Sequence, residues 1–188
     1  MEQPIYAERA TVIFFEGLTV DGYRMPDGSF RAGLIGASLV LGYGKDWLQR
    51  AVKPHLVNHT PTTLANLKEI GFTSHLVSIV STTSQGNTFS DETISLDDFQ
   101  CCIIYGTQSK RKAAIALNRG FTKLALIDFF RDAFGESPLT IDQKRELFYQ
   151  EYASSISPEC WREMDRRDII ALALTGDEPH LQYGLWNQ

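Results

Sequence analysis

The chain has 188 residues, with 18 basic and 23 acidic side chains, and its formal net charge is −5 at pH 7. This length supports one good-sized core, or one domain with a helical extension, and the 43% hydrophobic content is ordinary for a folded monomer. The negative charge excludes a protein that coats nucleic acid indiscriminately, because such binding depends on neutralising phosphates. No run of about 18 apolar residues could span a bilayer, and the N-terminus lacks a secretion signal, so we expect a cytoplasmic location.

The first elements are expected to be strands. Residues 11–15 are rich in β-branched and aromatic side chains, and residues 18–25 alternate well enough to form a second strand after a short turn. Pro-Asp-Gly at positions 26–28 supplies a preset φ, a capping side chain and a residue tolerant of positive φ. A third strand is therefore expected at residues 29–31, which gives a β-meander.

Two short helices are predicted next, separated by Gly-Tyr-Gly at positions 42–44. Residues 32–41 are too continuously apolar for an exposed strand and end at a glycine, which predicts a short buried helix. Residues 45–53 predict a second helix whose apolar side carries Trp47, Leu48, Ala51 and Val52. Its polar side carries Asp46, Gln49, Arg50 and Lys53. This arrangement is helix-turn-helix-like, with a polar face that can meet a partner.

A further helix and a hairpin are predicted in the middle of the chain. Residues 62–70 favour a helix that Gly71 ends. Residues 76–81 and 88–94 favour two strands joined by a turn, and thus a β-hairpin. A hairpin that follows a helix pair is the arrangement of a wing. Ser95 then begins a capping-box-like start of the next helix.

A cluster of basic residues, here called the basic island, lies between residues 107 and 123. It contains five bases and no acid, whereas the residues after it hold six bases and twelve acids. Such a cluster can select an anionic partner locally, and its position near a helix N-terminus suits phosphate contacts. The alternative is a solvated helix start. The five bases are Lys110, Arg111, Lys112, Arg119 and Lys123.

The basic island continues into helix-forming residues at 113–117, and we expect residues 118–120 to break or bend this helix. Residues 121–134 then predict a largely buried helix. Its core-facing side chains are expected to be Leu124, Ile127, Phe130 and Phe134.

Two more helices are predicted toward the C-terminus. Thr140 and Gln143 match a capping box that opens a helix to about Ala153. Pro158, near a first turn, is expected to open a last helix to about Leu174.

The fold class predicted is α+β: a β-meander with a helix-turn-helix-like pair and a hairpin wing, followed by a helical part. Residues 1–135 are expected to form the α+β domain and residues 136–188 a helical extension. The extension is acidic and carries Trp161 and Trp186, which suits dimerisation or binding of a protein partner.

The three cysteines are expected to remain reduced thiols. Cys101 and Cys102 are neighbours in a helical segment, where their side chains point about 100° apart. Cys160 lies alone far downstream. A disulfide framework is therefore not predicted.

Part of the chain resembles the N-terminal domain of BRO/KilA-N-type antirepressor proteins of phages and viruses. The resemblance is carried by residues 15–17, by the strand and turn at residues 23–31, and by the helix that leads to Leu41-Gly42-Tyr43. It covers residues 11–134 loosely and is strongest over residues 15–43. The resemblance implies a small α+β nucleic-acid-binding domain in a regulator of mobile-element origin.

Enzymatic sites are weakly supported by the sequence. His55 and His59 have the spacing of metal ligands on a helix, but the prolines on either side of the pair oppose a continuous helix. Asp142 and Lys144 match the letters of a nuclease motif, yet they fall in the first turn of a predicted helix, where an acid complements the helix dipole. We therefore predict no catalytic residue, no metal site and no cofactor.

These observations together predict a non-enzymatic regulator that binds double-stranded DNA and forms a homodimer. The rivals are a protein-binding, antirepressor-like module that does not touch DNA, and a small metal-dependent nuclease. The predicted DNA-binding residues are the five bases of the basic island together with Lys45, Gln49, Arg50 and Lys53.

Overall fold

The computed structural model describes residues 4–53, 61–82 and 88–175, and it has the predicted α+β fold class. The strands are β1 (Ile5–Tyr6), β2 (Glu8–Phe15), β3 (Leu18–Arg24), β4 (Phe30–Gly33), β5 (Val77–Thr82) and β6 (Thr88–Ser95). The described α-helices are α1 (Leu34–Val40), α2 (Trp47–Val52), α3 (Pro61–Glu69), α4 (Leu96–Gln108), α5 (Lys112–Ala133), α6 (Ile141–Ile156) and α7 (Arg166–Thr175). A short 3₁₀ helix at Trp161–Glu163 precedes α7.

The six strands form one sheet in the order β1-β5-β6-β4-β3-β2. β1 pairs with β5 in parallel, and the other neighbouring pairs are antiparallel. β1 and β2 lie at opposite edges of this sheet, yet Ala7 alone separates them in the chain, and its N–H donates to the Val80 carbonyl at 3.1 Å. One residue spans less than about 4 Å. The sheet must therefore curl until its two edges approach each other.

The predicted meander is confirmed as β2, β3 and β4, and the turn before β4 forms for the expected reasons. The Gly28 N–H donates to the Met25 carbonyl at 2.9 Å, and Gly28 has φ +83°. The Asp27 carboxylate accepts from the Ser29 N–H at 2.9 Å. The side chain thus replaces a backbone acceptor within the turn.

The predicted hairpin is confirmed as β5 and β6, but its base belongs to the sheet. Residues 93–95 of β6 pair with residues 31–33 of β4. Within the part of the chain that the structure describes, residues 88–92 of β6 pair with β5 alone. The hairpin is therefore not a separate wing: only its outer part extends beyond β4. Residues 83–87, at its turn, lie outside the described residues.

The start of α4 is fixed by two side chains. Ser95 accepts from the Asp98 N–H at 3.0 Å, which confirms the predicted cap. Asp98 is fully buried, and its carboxylate accepts from the N–H and the hydroxyl of Thr73, both at 2.7 Å. A buried carboxylate is tolerated only with such partners, so α4 is held against the loop that follows α3.

α5 runs without interruption from Lys112 to Ala133, so the predicted break at residues 118–120 is wrong. A glycine costs about 1 kcal/mol inside a helix. Here, however, α6 packs closely on Gly120: a Cβ at this position would lie 2.8 Å from Phe148 Cε2. The glycine permits close helix packing and does not end the helix.

The second half of α5 is not largely buried, contrary to the prediction. Phe130 is 66% exposed and Phe134 is 78% exposed, and Leu124 and Ile127 are only half-buried. All the buried residues of α5 lie in its first half, up to Gly120. The helix is longer than the core can cover, and its second half projects together with the start of α6.

The capping box of α6 is confirmed, whereas α7 starts later than predicted. The Gln143 N–H donates to the Thr140 hydroxyl at 3.2 Å, and the Thr140 N–H donates to the Gln143 side chain at 2.9 Å. Pro158 does not open α7. Instead, the Asp165 carboxylate accepts from the Asp168 N–H at 2.8 Å and caps this helix.

The helices after residue 135 pack on the same core as the sheet. The Phe15 ring lies 5.1 Å from the Tyr149 ring and 5.2 Å from the Tyr152 ring, between centroids. The predicted boundary falls at the turn between α5 and α6, where Gly135 has φ +67°. The three cysteines are free thiols, two of them buried.

Replacing Gly120 by Val should lower the free energy of unfolding by about 2 kcal/mol or more, because the new side chain meets the buried Phe148 ring. Urea unfolding followed by circular dichroism would measure this loss. Asn118→Val, on the exposed side of the same helix, is the matched control and should change stability by less than about 0.5 kcal/mol. Equal stability of the two variants would contradict the close packing at Gly120.

Candidate nucleic-acid interface

The two predicted short helices, α1 and α2, are joined through a buried hydroxyl. Ser38 donates to the Leu34 carbonyl at 2.9 Å and accepts from the Leu48 N–H at 3.3 Å. Gly42, with φ +78°, turns the chain between the helices. Leu48 and Ala51 are buried beneath α2. The helix pair is therefore fixed on the core by its apolar side, as the sequence predicts.

A column of aromatic rings connects the start of α2 to the end of α4. The Tyr43 and Trp47 rings stack with centroids 3.9 Å apart and planes 7° apart. The Trp47 and Tyr105 rings are 5.8 Å apart and inclined by 26°. The Arg111 guanidinium lies 4.5 Å from the centre of the Tyr43 ring, a cation–π contact. The basic island therefore begins directly beside α2.

The first turn of α5 is electropositive. Arg111 is the N-cap residue, no side chain within the described residues caps this end, and the first turn contains no acid. Lys110 and Lys112 are exposed on either side of it, and Lys110 has φ +59°. The N-terminus of a 22-residue helix attracts anions through its dipole. Helix dipole and basic side chains therefore act in the same direction.

A pocket of about 420 Å³ opens at this junction. The Tyr43 hydroxyl is buried there and makes no hydrogen bond of ordinary geometry to the described residues. Burial raises the pKa of Tyr43, while the neighbouring Ser109 and Arg111 act to lower it. Because its pKa is raised, the buried hydroxyl remains protonated near neutral pH. The pocket is lined by Tyr43, Trp47, Thr63, Tyr105, Ser109 and Arg111.

Three predicted DNA-binding residues lie on or before α2 with access to solvent. Lys45 is exposed, Gln49 is half-buried, and the Arg50 side chain is 62% exposed. Asp46 lies 3.5 Å from the Arg50 guanidinium, one helical turn away. Of the two residues on α2, Arg50 lies about 60° around the helix from Trp47, on the side of the pocket, whereas Gln49 lies about 200° away.

The remaining predicted bases do not join this surface in the same way. Lys53 forms an ion pair with Glu92 on β6. Arg119 pairs with Glu151 on α6 at 2.8 Å. Lys123 is exposed, but it lies 11 residues after the start of α5, about 16 Å along the helix. The basic island is thus divided: Arg111 contacts Tyr43 just before α2, and Lys110 and Lys112 are its neighbours in the chain.

Sequence reasoning missed most of the pocket lining. It placed Trp47 beneath α2 but assigned no role to Tyr43, Tyr105, Thr63 or Ser109. Tyr43 and Trp47 are four residues apart, as are Tyr105 and Ser109, which is a usable local signal for side chains at similar positions around a turn. The approach of the two pairs depends on tertiary packing and could not be derived from spacing.

The other predicted sites show no catalytic arrangement. Lys144 pairs with Asp128 at 2.7 Å, and the Asp142 side chain is 90% exposed in the first turn of α6. In residues 4–53, 61–82 and 88–175, no group of three His, Cys, Asp or Glu side chains is placed to hold a metal ion. His55 and His59 lie outside the described residues.

A larger groove of about 890 Å³ lies between strands β2–β4 and helices α4 and α5. The arginines at its rim are already paired, Arg9 with Asp21 and Arg24 with Glu8. Its lining is mainly apolar and includes Val12, Phe14, Phe30, Leu96, Ile103, Phe121 and Ala125. This groove is separate from the pocket beside α2.

Comparison with known proteins gives no relative from which a function could be transferred. No family model matches the chain, and neither a curated protein nor a solved structure is similar to it. Among the helices that the structure describes, none is long and apolar enough to cross a bilayer. The function is therefore inferred from geometry and charge.

Two tyrosine variants test the orphan hydroxyl of the pocket. Tyr43→Phe should leave the free energy of unfolding within about 0.5 kcal/mol of the parent or raise it, because the hydroxyl makes no hydrogen bond of ordinary geometry to the described residues. Tyr23→Phe is the control: Tyr23 is 2% exposed and donates to the Asp91 carboxylate at 2.8 Å. Its loss should cost about 1–2 kcal/mol in thermal or urea unfolding. An equal cost at Tyr43 would show that its hydroxyl is already bonded.

Proposed function

We propose that this protein is a non-enzymatic regulator of the phage or mobile-element type that binds double-stranded DNA. The binding surface consists of α2 and the first turn of α5. The supporting observation is the aromatic column, because the Arg111–Tyr43–Trp47 contacts place two separately predicted basic segments side by side. The resemblance of residues 15–43 to antirepressor N-terminal domains implies the same function class, although α2 and α5 lie outside those residues.

α2 is the element suited to base contacts. It has six residues and is therefore about 9 Å long, enough to present one or two side chains to a major groove. Gln49 and Arg50 carry the donors that read base edges. The Arg50–Asp46 pair is exposed and contributes less than about 1 kcal/mol. Arg50 can therefore exchange this carboxylate for a guanine edge or a phosphate.

The first turn of α5 is the element suited to phosphate contacts. Lys110 and Lys112 supply charge, and the positive end of the helix dipole adds attraction for an anion. Lys45 extends the cationic surface toward α2. About four phosphate contacts correspond to a salt dependence of log affinity with a slope of roughly −3 to −4.

A second function class has its own supporting observation. Among the described residues, acidic side chains pair with at least three of the predicted DNA-binding cations: Asp46 with Arg50, Glu92 with Lys53 and Glu151 with Arg119. This pairing, in a chain of net charge −5, favours a protein-binding, antirepressor-like module that does not touch DNA. The two proposed functions differ in one measurable property: the DNA-binding regulator should bind duplex DNA with an affinity that falls as salt rises, whereas the protein-binding module should not bind duplex DNA.

Fluorescence anisotropy with random-sequence duplexes, at several salt concentrations, tests the proposed function. The parent protein should bind at about 50 mM salt. Replacing Lys110 and Lys112 by Ala should reduce the magnitude of the salt slope by about 2, because two phosphate contacts are lost. Arg50→Ala should weaken binding about tenfold with a smaller change in slope.

The matched control is the double variant Arg24→Ala and Arg119→Ala. It removes the same charge from cations that are paired elsewhere, and it should leave the slope unchanged. No binding at about 50 mM salt would favour the protein-binding module. Cleavage of the duplex on addition of Mg²⁺ would contradict the non-enzymatic assignment.

A further inference from the structure

We propose that two copies of this chain pair through the second half of α5, with the two helices antiparallel about a two-fold axis near Ile127. The surface concerned is the apolar patch formed by Leu126, Phe129, Phe130, Phe134 and Ile141. It is distinct from the candidate nucleic-acid interface, so the pairing does not depend on the proposed function.

The patch is unusual because its aromatic side chains are nearly uncovered. Phe129 is 74% exposed, Phe130 is 66% exposed and Phe134 is 78% exposed. Single exposed apolar residues are normal on a protein surface, but a contiguous group of this kind marks an interaction site. The sequence pattern predicts that Phe130 and Phe134 are buried, but within one copy of the chain both remain exposed.

The spacing of these residues is that of a helix that packs against another helix. Leu126, Phe129, Phe130, Ala133 and Phe134 follow the pattern i, i+3, i+4, i+7 and i+8. α6 lies against a different side of α5, where Lys144 pairs with Asp128. The exposed stripe is therefore available to a further helix.

Side-chain sizes favour a second copy as that helix. Phe129 shares a face of α5 with Ala125 and Thr122, which lie one and two turns earlier. An antiparallel pair centred near Ile127 places each Phe129 over Ala125 of the partner subunit. On both sides of the two-fold axis a large side chain then packs against a small one, as in helices whose side chains interdigitate. Thr122 and Ala125 also line the 890 Å³ groove, so the incoming ring has space.

The charges around the patch are compatible with contact between identical surfaces. A two-fold axis brings each surface against itself, so a rim of one sign would repel its copy. Two ion pairs balance charge on this rim: Arg131 pairs with Glu136 at 2.7 Å, and Lys144 pairs with Asp128 at 2.7 Å. Asp132 is exposed on the same side of α5 as Phe129, and in the proposed pair it lies opposite Thr122 of the partner subunit and not opposite its own copy. A strongly acidic or strongly basic protein partner would find no excess of the opposite charge on this rim.

The exposed area is sufficient to contribute most of a stable interface. At about 200 Å² for a fully exposed phenylalanine, the three phenylalanines alone expose roughly 440 Å² per copy. A standard-size interface buries about 800 Å² per partner. The patch and the adjoining groove together reach this range.

Light scattering coupled to size exclusion, over a wide dilution series of the full chain, tests the proposal. The parent should show twice the monomer mass of 21.2 kDa at high concentration and dissociate on dilution. Phe129→Asp should raise the dimer dissociation constant by about tenfold or more. Ala125→Arg should do the same. Ala125 is exposed in the single copy, so this variant keeps the monomer fold intact.

Ile35→Asp is the matched control, because Ile35 is 57% exposed on α1, far in sequence from the patch. It should leave the dissociation constant unchanged. A parent that is monomeric at every concentration overturns the proposal and leaves the patch to a different protein. A dimer that survives both Phe129→Asp and Ala125→Arg overturns it as well. Circular dichroism identifies any variant that fails to fold, and Ala125→Arg then decides the result.

Discussion

The one-residue connection at Ala7 constrains the whole α+β body. β1 lies at one edge of the sheet and β2 at the opposite edge, and a single residue joins them. Because one residue cannot span a flat sheet, the sheet must be curled. Contacts across the curl agree with this shape: the Arg9 guanidinium lies 6.0 Å from the centre of the Phe89 ring, and the Tyr23 hydroxyl reaches Asp91. The other face of β2–β4 is left to α4 and α5, and the large apolar groove lies between them.

The candidate interface depends on packing that starts from this sheet. α4 follows β6 directly, and the Ser95 cap and the buried Asp98 fix its direction. The end of α4 places the Tyr105 ring against the Trp47 ring. The turn after α4 places the Arg111 guanidinium over the Tyr43 ring. The position of the basic turn beside α2 is thus a consequence of the strand–helix connection, although no residue of the sheet lines the pocket.

Local features were predictable from the sequence, and long-range features were not. The caps at Ser95 and Thr140 and the turn at residues 26–28 depend on neighbouring residues, and all three form as predicted. The curl of the sheet depends on the pairing of β1 with β5, more than 70 residues away in the chain. The neutralisation of Lys53 by Glu92 has the same origin, because only the fold brings α2 to β6. Helical periodicity led to the wrong prediction that Leu124, Ile127, Phe130 and Phe134 face the core, because spacing along α5 does not specify which side of the helix the rest of the chain covers.

α5 takes part in both the proposed DNA-binding surface and the proposed dimer interface. Its N-terminus contributes to the candidate nucleic-acid interface, and its second half carries the apolar patch. In an antiparallel pair centred near Ile127, the two helix N-termini lie 15 residues on either side of the axis, roughly 45 Å apart at 1.5 Å per residue. Inclination of the two helices shortens this separation. Equivalent points on successive turns of DNA are about 34–36 Å apart. Even at an inclination of about 50° the separation remains about 41 Å, so the two basic turns of the proposed dimer would lie farther apart than equivalent points on successive turns of straight DNA. The pairing through α5 therefore rests on the apolar patch alone and gains no support from the spacing of the duplex.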